Sequence, residues 1–293
     1  MLTISRIFDV FQFDCIKMSS EKITLLKGYS GCKILLIETP YRSFIRKVSS
    51  DRAYNERLLK QCKKQSMCGF GKTPQVFGSG YADGLFFFDM QYIRGTTLSE
   101  YLLQVPAMYL KRTVERIYNT AYHGYSADIG NGVEIQTAMR AKIESLRYLQ
   151  GAHANLAEVF EYLDSLSWSG IGVGNCHGDM TLENIIVDSK GEFYMIDFLD
   201  SFAESPAVDI AKSLQDIFLR WSYRYRVLSV YEDIRLSDVC DVFLGLLGCD
   251  TVLKKAVFDI LLVNLLRIYP YIKDEKTRLF LDAATKKTLN FIL

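Results

Sequence analysis

The chain has 293 residues, 49% of them hydrophobic and 24% charged, with a formal net charge of +1. That is long enough to bury a substantial core without staples, and too apolar for a disordered segment. A near-neutral balance excludes an overall field drawing the chain to nucleic acid or to an anionic membrane, so no partner of either kind is expected.

The seven cysteines (Cys15, Cys32, Cys62, Cys68, Cys176, Cys240, Cys249) are odd in number, scattered, and include no C-x-x-C pair. This pattern speaks against a disulfide framework or a zinc site and for reduced thiols in a cytoplasm. Asp9 and Asp14 interrupt the first apolar residues, so no export signal is expected. The apolar run Ala256–Ile272 is broken by Asp259, Asn264 and Arg267 and reads as a buried helix, not a membrane span.

In chain order, the first third is rich in short β-type runs. Strands are predicted at Ile23–Leu26, Cys32–Glu38, Ser43–Val48, Gln75–Gly78 and Leu85–Tyr92, with one helix over Asp51–Lys64. After Gly95 the pattern turns amphipathic: helices are predicted at Leu98–Leu103, Tyr109–Tyr122, Ile135–Leu149, Leu156–Leu166 and Pro206–Leu219, and a helical end from Ser237 to Leu293. The fold class is α+β, divided into residues 1–93, a small sheet with a helix, and 94–293, mostly helical.

One segment breaks the helical pattern and carries the chemistry. Cys176-His177-Gly178-Asp179-Met180-Thr181-Leu182-Glu183-Asn184 leads into two short β-type runs, Ile185–Val187 and Phe193–Ile196, joined by Asp188-Ser189-Lys190-Gly191 and followed by Asp197-Phe198. The joint is a good hairpin turn. An antiparallel hairpin sets the residue entering its first strand beside the residue leaving its second. Asn184 and Asp197 should therefore meet, with Asp179 on the loop leading in. One amide oxygen and two carboxylates on a small volume suit a hard divalent cation such as Mg2+ together with a general base.

The spacing His-x-Asp-x-x-x-x-Asn, then Asp-Phe after a second strand, matches the kinase catalytic loop and its metal-binding Asp. With Gly178 where protein kinases carry Arg, and with Pro206-Ala207-Val208-Asp209-Ile210-Ala211 downstream, the chain resembles the aminoglycoside/choline phosphotransferase superfamily, small-molecule kinases of the two-lobed protein-kinase-like fold. The resemblance covers about Ile23 to Ile217. It implies ATP and Mg2+ as cofactors and a small-molecule hydroxyl acceptor: a sugar, amino-sugar or amino-alcohol. It assigns Asp179 as the base, Asn184 and Asp197 as metal ligands, His177 as a buttress of the loop and Asp209 as its support from behind. Asp200 is a weaker metal candidate.

The same resemblance predicts a nucleotide-binding first lobe. Lys27–Lys33 lies between two strands, where the backbone around Gly28, Ser30 and Gly31 would cover phosphates; a plain hairpin turn is the alternative. In Ser43–Val48 a cation inside an apolar strand must find a polar cleft or solvent. Lys47 is the expected phosphate-pairing residue, with Arg46 as its rival and Glu56 as the lysine's ion-pair partner. Backbone groups of Gln91, Tyr92 and Ile93 would hold the adenine edge while Met90 faces inward. The alternatives are a protein-directed kinase, an AMP-transferring enzyme and an ATP-binding regulatory pseudokinase. The acceptor should be written in the helical part; Tyr118–Asn131 and the cationic, aromatic run Arg220–Arg226 are the places to look.

Overall fold

The structure, a computed structural model, describes residues 22–26, 28, 32–122, 132–168 and 171–293. The chain divides into two compact units: Met1–Gly95 with Asp188–Asp200, and Thr96–Val187 with Ser201–Leu293. The segment that carries Asp197 therefore groups with the first unit.

The first unit is built on an antiparallel sheet ordered β1-β2-β3-β5-β4, from β1 (Lys22–Leu26), β2 (Cys32–Glu38), β3 (Ser43–Ser49), β4 (Val76–Ala82) and β5 (Leu85–Gln91). Helix α1 (Asn55–Ser66) follows β3. Because strand side chains alternate faces, β3 serves two different interiors. Ile45 joins Leu58, Cys62, Phe86, Phe88 and Met90 on the α1 side, whereas Val48 packs with Ala82 and Phe87 on the other. β3 is the middle strand, and its residues Phe44 to Ser49 are all buried, so its two cations must find partners inside the fold.

The second unit is largely helical. After β6 (Gly95–Thr97) come α2 (Leu98–Gln104), α3 (Ala107–Tyr122), α4 (Gly132–Ser145), the one-turn α5 (Leu149–Ala152) and α6 (Ala157–Asp164). The strands β7 (Ile185–Asp188) and, in the segment grouped with the first unit, β8 (Phe193–Met195) flank the expected turn, which closes with hydrogen bonds from Asp188 N–H to Glu192 C=O and from Gly191 N–H to Asp188 C=O, each 3.0 Å. Helix α7 (Pro206–Leu219) has its predicted bounds, set by Ser205 as N-cap and Pro206 at the first helical position.

The helical end is three helices: α8 (Val230–Leu247), α9 (Thr251–Leu266) and α10 (Glu275–Ile292). Ser229 and Glu232 form a capping box that starts α8 seven residues before the predicted Ser237. Asp250 and Asp274 then cap α9 and α10 by accepting from Leu253 and Thr277 N–H at 2.8 and 2.7 Å. Residues Val257 to Leu266 of α9 are all buried, as expected for a core helix, and no described helix is long and apolar enough to cross a membrane.

Candidate functional site

In the first unit, β3 sends its two adjacent cations to opposite faces. Arg46 pairs with Asp89 of β5 through two parallel hydrogen bonds of 2.7 Å and lies over the Phe87 ring at 4.6 Å. Lys47, only 3% exposed, points to the α1 side, where its ammonium pairs with the Asp197 carboxylate and lies 6.0 Å from the Phe88 ring centroid. Burial pulls the Lys47 ammonium down to about 8, the neighbouring Cys32 thiol working against it. The contact with Asp197 favours the charged form of the ammonium.

Asp197 has φ 62°, in the left-handed region that an L-residue adopts at a cost. Around it, Lys72 C=O accepts from Met195 N–H at 2.9 Å and its ammonium pairs with Glu192 at 3.0 Å. From α1, Lys64 donates to Leu199 C=O at 3.0 Å and Lys60 to Asp200 at 3.2 Å. Asp200, the weaker metal candidate, is thus an exposed partner of Lys60.

Glu56 does not pair with Lys47. Its side chain is 82% exposed and its ion-pair partner is Lys60, at 3.8 Å. The reason lies in helix phase. The buried face of α1 is Leu58, Gln61, Cys62 and Gln65, and Glu56 sits about 200° around the helix from Leu58. Gln91 is also partly committed, since its N–H donates to Gln75 C=O at 2.8 Å. Tyr92 and Ile93, both half-buried, carry the other backbone groups expected to hold adenine, and Met90 is buried in the core. Gly28 is described, with room beside it restricted by the Ile34 side chain 2.8 Å from an added Cβ. Ser30 and Gly31 lie outside the described residues, as do positions 123–131 of the expected acceptor region.

In the second unit the loop from His177 to Asn184 is pinned along one stripe of α7. Asp209 is buried and accepts the N–H groups of His177 and Gly178 at 2.5 and 2.8 Å. One turn on, Lys212 pairs with Asp179 Oδ1 at 3.1 Å, and the Ser213 hydroxyl donates to Met180 C=O at 2.9 Å. A turn further, Asp216 accepts from Leu182 N–H at 2.6 Å. Positions 209, 212, 213 and 216 are the i, i+3, i+4, i+7 face of a helix.

Sequence reading singled out only Asp209. The signal available for the rest was the polar content of an otherwise apolar helix: Lys212, Ser213 and Asp216 recur at helical spacing on a segment that is buried nearly all round. Asp216 also accepts from Ser222 N–H and Oγ at 2.9 and 2.7 Å. Burial nonetheless pushes its carboxyl up to about 6, against the hydrogen bonds from Ser222 and Leu182.

Asp179 is held at both carboxylate oxygens, Oδ1 by Lys212 and Oδ2 by Asn184 Nδ2 at 3.0 Å. Asn184 Nδ2 donates also to Asp179 C=O at 2.8 Å. With its amide hydrogens turned to Asp179, Asn184 has a carbonyl oxygen that could hold a cation. Desolvation raises the Asp179 carboxyl, but Lys212, with His177 and Arg267 behind it, outweighs burial and holds it below the usual carboxylate range. His177 is fully buried and its Nδ1 accepts from Asp179 N–H at 3.2 Å, the position of a buttress. Gly178 has φ 87°, which accounts for glycine between His177 and Asp179.

Asn184 in the second unit and Asp197 in the first each carry an oxygen donor of the hard type that could serve Mg2+. Among the described residues there is no cluster of three or more His, Cys, Asp and Glu side chains placed to hold a metal ion.

Comparison with known proteins agrees with this geometry. Residues 131–232, which include the pinned loop and the α7 stripe, match the phosphotransferase enzyme family. A search of curated proteins gives no match. Among solved structures, a thermostable mutant of aminoglycoside phosphotransferase APH(4)-Ia is similar at a TM-score of 0.61 and 13% identity, over 94% of this chain and 96% of that one. Its ternary complex with ADP and hygromycin B is similar at TM-score 0.60 and 12% identity, over 93% and 96%. An ethanolamine kinase from Plasmodium vivax is similar at TM-score 0.56 and 11% identity, over 93% and 83%. The chain thus has the protein-kinase-like fold of the aminoglycoside phosphotransferases, and its residues 131–232 match the phosphotransferase enzyme family.

Proposed function

We propose that this protein is an ATP- and Mg2+-dependent phosphotransferase that moves the γ-phosphoryl group to a hydroxyl of a small molecule. The observation that carries this reading is the state of Asp179: ionised, gripped at both oxygens, and fixed on a loop whose backbone is tied to α7 at four places. A carboxylate so held serves to orient an acceptor hydroxyl and take its proton.

In the proposed reaction the acceptor oxygen forms a bond to the γ-phosphorus as the bond from that phosphorus to the β,γ-bridging oxygen breaks. The hydroxyl proton passes to Asp179, and ADP leaves. Lys47 pairs with phosphate oxygens of the nucleotide, held in place by the Asp197 carboxylate beside it. Asn184 and Asp197 would hold magnesium, which would supply neutralisation of phosphate charge. Tyr92 and Ile93 present backbone groups to the adenine, and the Gly28 turn lies along the phosphates. The hard-ligand donor set, the ADP complex of a protein of the same fold and the phosphotransferase family match support this reading. Cys32, Cys62, Cys68, Cys176, Cys240 and Cys249 form no disulfide, which fits a cytoplasmic setting.

The test is transfer of the terminal phosphate of ATP to a panel of hydroxylated metabolites, followed by phosphorus NMR with wild type and Asp179→Asn. A new phosphate ester formed by the wild type, and slowed by about a thousandfold or more in the variant, is the expected result. Turnover in Asp179→Asn close to wild type would remove Asp179 from the role of base.

A further inference from the structure

We propose that Lys64 is a positioning residue for Asp197, and that α1 sets this aspartate by gripping the chain on both sides of it instead of through a Glu56–Lys47 pair. The inference deepens the proposed phosphotransferase reading and rests on it, because it takes Asp197 as a ligand for magnesium.

The backbone of Asp197 stands at φ 62°, and a residue keeps such a conformation only where its surroundings leave it no easier one. Here the chain is held two residues to either side. On the N-terminal side, Met195 N–H donates to Lys72 C=O at 2.9 Å. On the C-terminal side, Leu199 C=O accepts from the Lys64 ammonium at 3.0 Å, and Asp200 pairs with Lys60 at 3.2 Å.

Both holds lead back to α1. Lys60 and Lys64 are one turn apart on the helix face turned away from Leu58 and Cys62. Gln65, the next residue after Lys64 and buried, anchors the other hold. Its side-chain amide donates to Pro74 C=O at 2.9 Å, and its own C=O accepts from the Thr73 hydroxyl at 3.4 Å. These bonds fix the stretch that presents Lys72 C=O to Met195. The helix in turn is packed on the sheet through Leu58 and Cys62, which join Ile45, Phe86, Phe88 and Met90. The backbone of Asp197 is thereby tied to the same sheet that carries Lys47.

The contacts differ in weight. Lys60 and Asp200 are both more than half exposed, and such a pair contributes little. Lys64 is half-buried, and its bond to Leu199 C=O is charge-assisted, the stronger kind. Glu56, on the same face as these lysines, is turned to solvent and paired with Lys60. Lys64 is therefore the charged residue of α1 with most hold on the segment of Asp197.

The experiment follows the ATP-dependent rise in melting temperature of the full chain as Mg2+ is titrated. In parallel, without ligand, it follows the amide hydrogen exchange of peptides spanning residues 193–200. Wild type is compared with Lys64→Met, which keeps the length of the side chain and loses the donor, and with Lys64→Arg, which keeps the charge. In Lys64→Met the Mg2+ concentration at half effect should rise about tenfold and the exchange should quicken by about tenfold, with the ligand-free melting temperature near wild type. Lys64→Arg should restore both. Lys60→Gln, at an exposed position, should move both readouts the same way by about threefold; if Lys64→Met does not fold, this variant decides, and no movement in it overturns the inference.

An unchanged Mg2+ half effect and unchanged exchange in Lys64→Met overturn the inference. So does a fall in the ligand-free melting temperature alone, which is what a merely structural lysine would give. If the wild type shows no Mg2+-dependent rise, the phosphotransferase reading fails; quickened exchange in Lys64→Met then still supports the grip on Asp197, and unchanged exchange removes that as well.

Discussion

Asp216, in the third turn of α7, accepts the N–H of Leu182 at 2.6 Å and with its other oxygen holds Ser222 through two hydrogen bonds of 2.9 and 2.7 Å. One buried carboxylate thus ties the middle of the loop between Asp179 and Asn184 to the turn that follows α7.

This carboxyl makes a pH prediction. Burial raises its pKa in the fold to about 6 from 3.8, so between these values the native state holds a proton that the unfolded chain has released. Stability from this group is therefore greatest below the lower value and declines as pH rises through the upper one, by up to about 3 kcal/mol. Asp216→Asn does not titrate and puts an amide hydrogen against Leu182 or Ser222. The melting-temperature gap between wild type and Asp216→Asn should be widest near pH 4.5 and narrower at pH 7.5; a gap that grows with pH contradicts the assignment.

The two adjacent cations of β3 should fail in different ways. Arg46→Ala leaves the half-buried Asp89 without its bidentate partner and should cost about 3 kcal/mol in urea unfolding. Lys47→Ala removes the partner of Asp197 and should lower kcat/KM by about a hundredfold or more while the fold survives. A Lys47→Ala protein with near-normal turnover, or an Arg46→Ala protein of unchanged stability, would show that the faces have been assigned in reverse.

Glu56 is expected to be dispensable. Its exposed side chain pairs with Lys60 on the solvent face of α1, so Glu56→Gln should change stability by no more than about 0.5 kcal/mol and leave turnover near wild type. A large loss of kcat would mean that α1 turns during the reaction to bring Glu56 to Lys47.

Gly178 is a position where a methyl group is costly. Its φ of 87° lies where a Cβ strains the backbone, and Gly178→Ala should destabilise by about 1–2 kcal/mol. It should also slow turnover, since the N–H it presents to Asp209 and the neighbouring Asp179 move with it. Denaturant melts alongside steady-state rates would separate the two effects.

Much of this was legible in the sequence because the relevant signals are local. The turn Asp188–Gly191 has the chemistry of a hairpin, Ser205-Pro206 has that of a helix start, and the His177 to Asn184 spacing carries the catalytic loop. What could not be read depended on long-range placement. Arg46 and Lys47 are equivalent in the sequence until β5 supplies Asp89 to one face. Glu56 has the right position in the chain but the wrong helical phase, which shows only once α1 is fixed by Leu58 and Cys62. Lys212 and Asp216 look like ordinary polar residues until α7 is laid along the loop. Helix ends shifted where caps outweighed hydrophobic periodicity, as with Ser229 before α8.

The most direct test of the central claim is a thermal-shift titration with ATP, with and without Mg2+, on wild type and Asp197→Asn. A ligand that binds the native state must raise its melting temperature. The account predicts a magnesium-dependent rise in the wild type that Asp197→Asn abolishes. No shift at millimolar ATP in a folded wild-type protein, or an equal shift in both proteins, would contradict it.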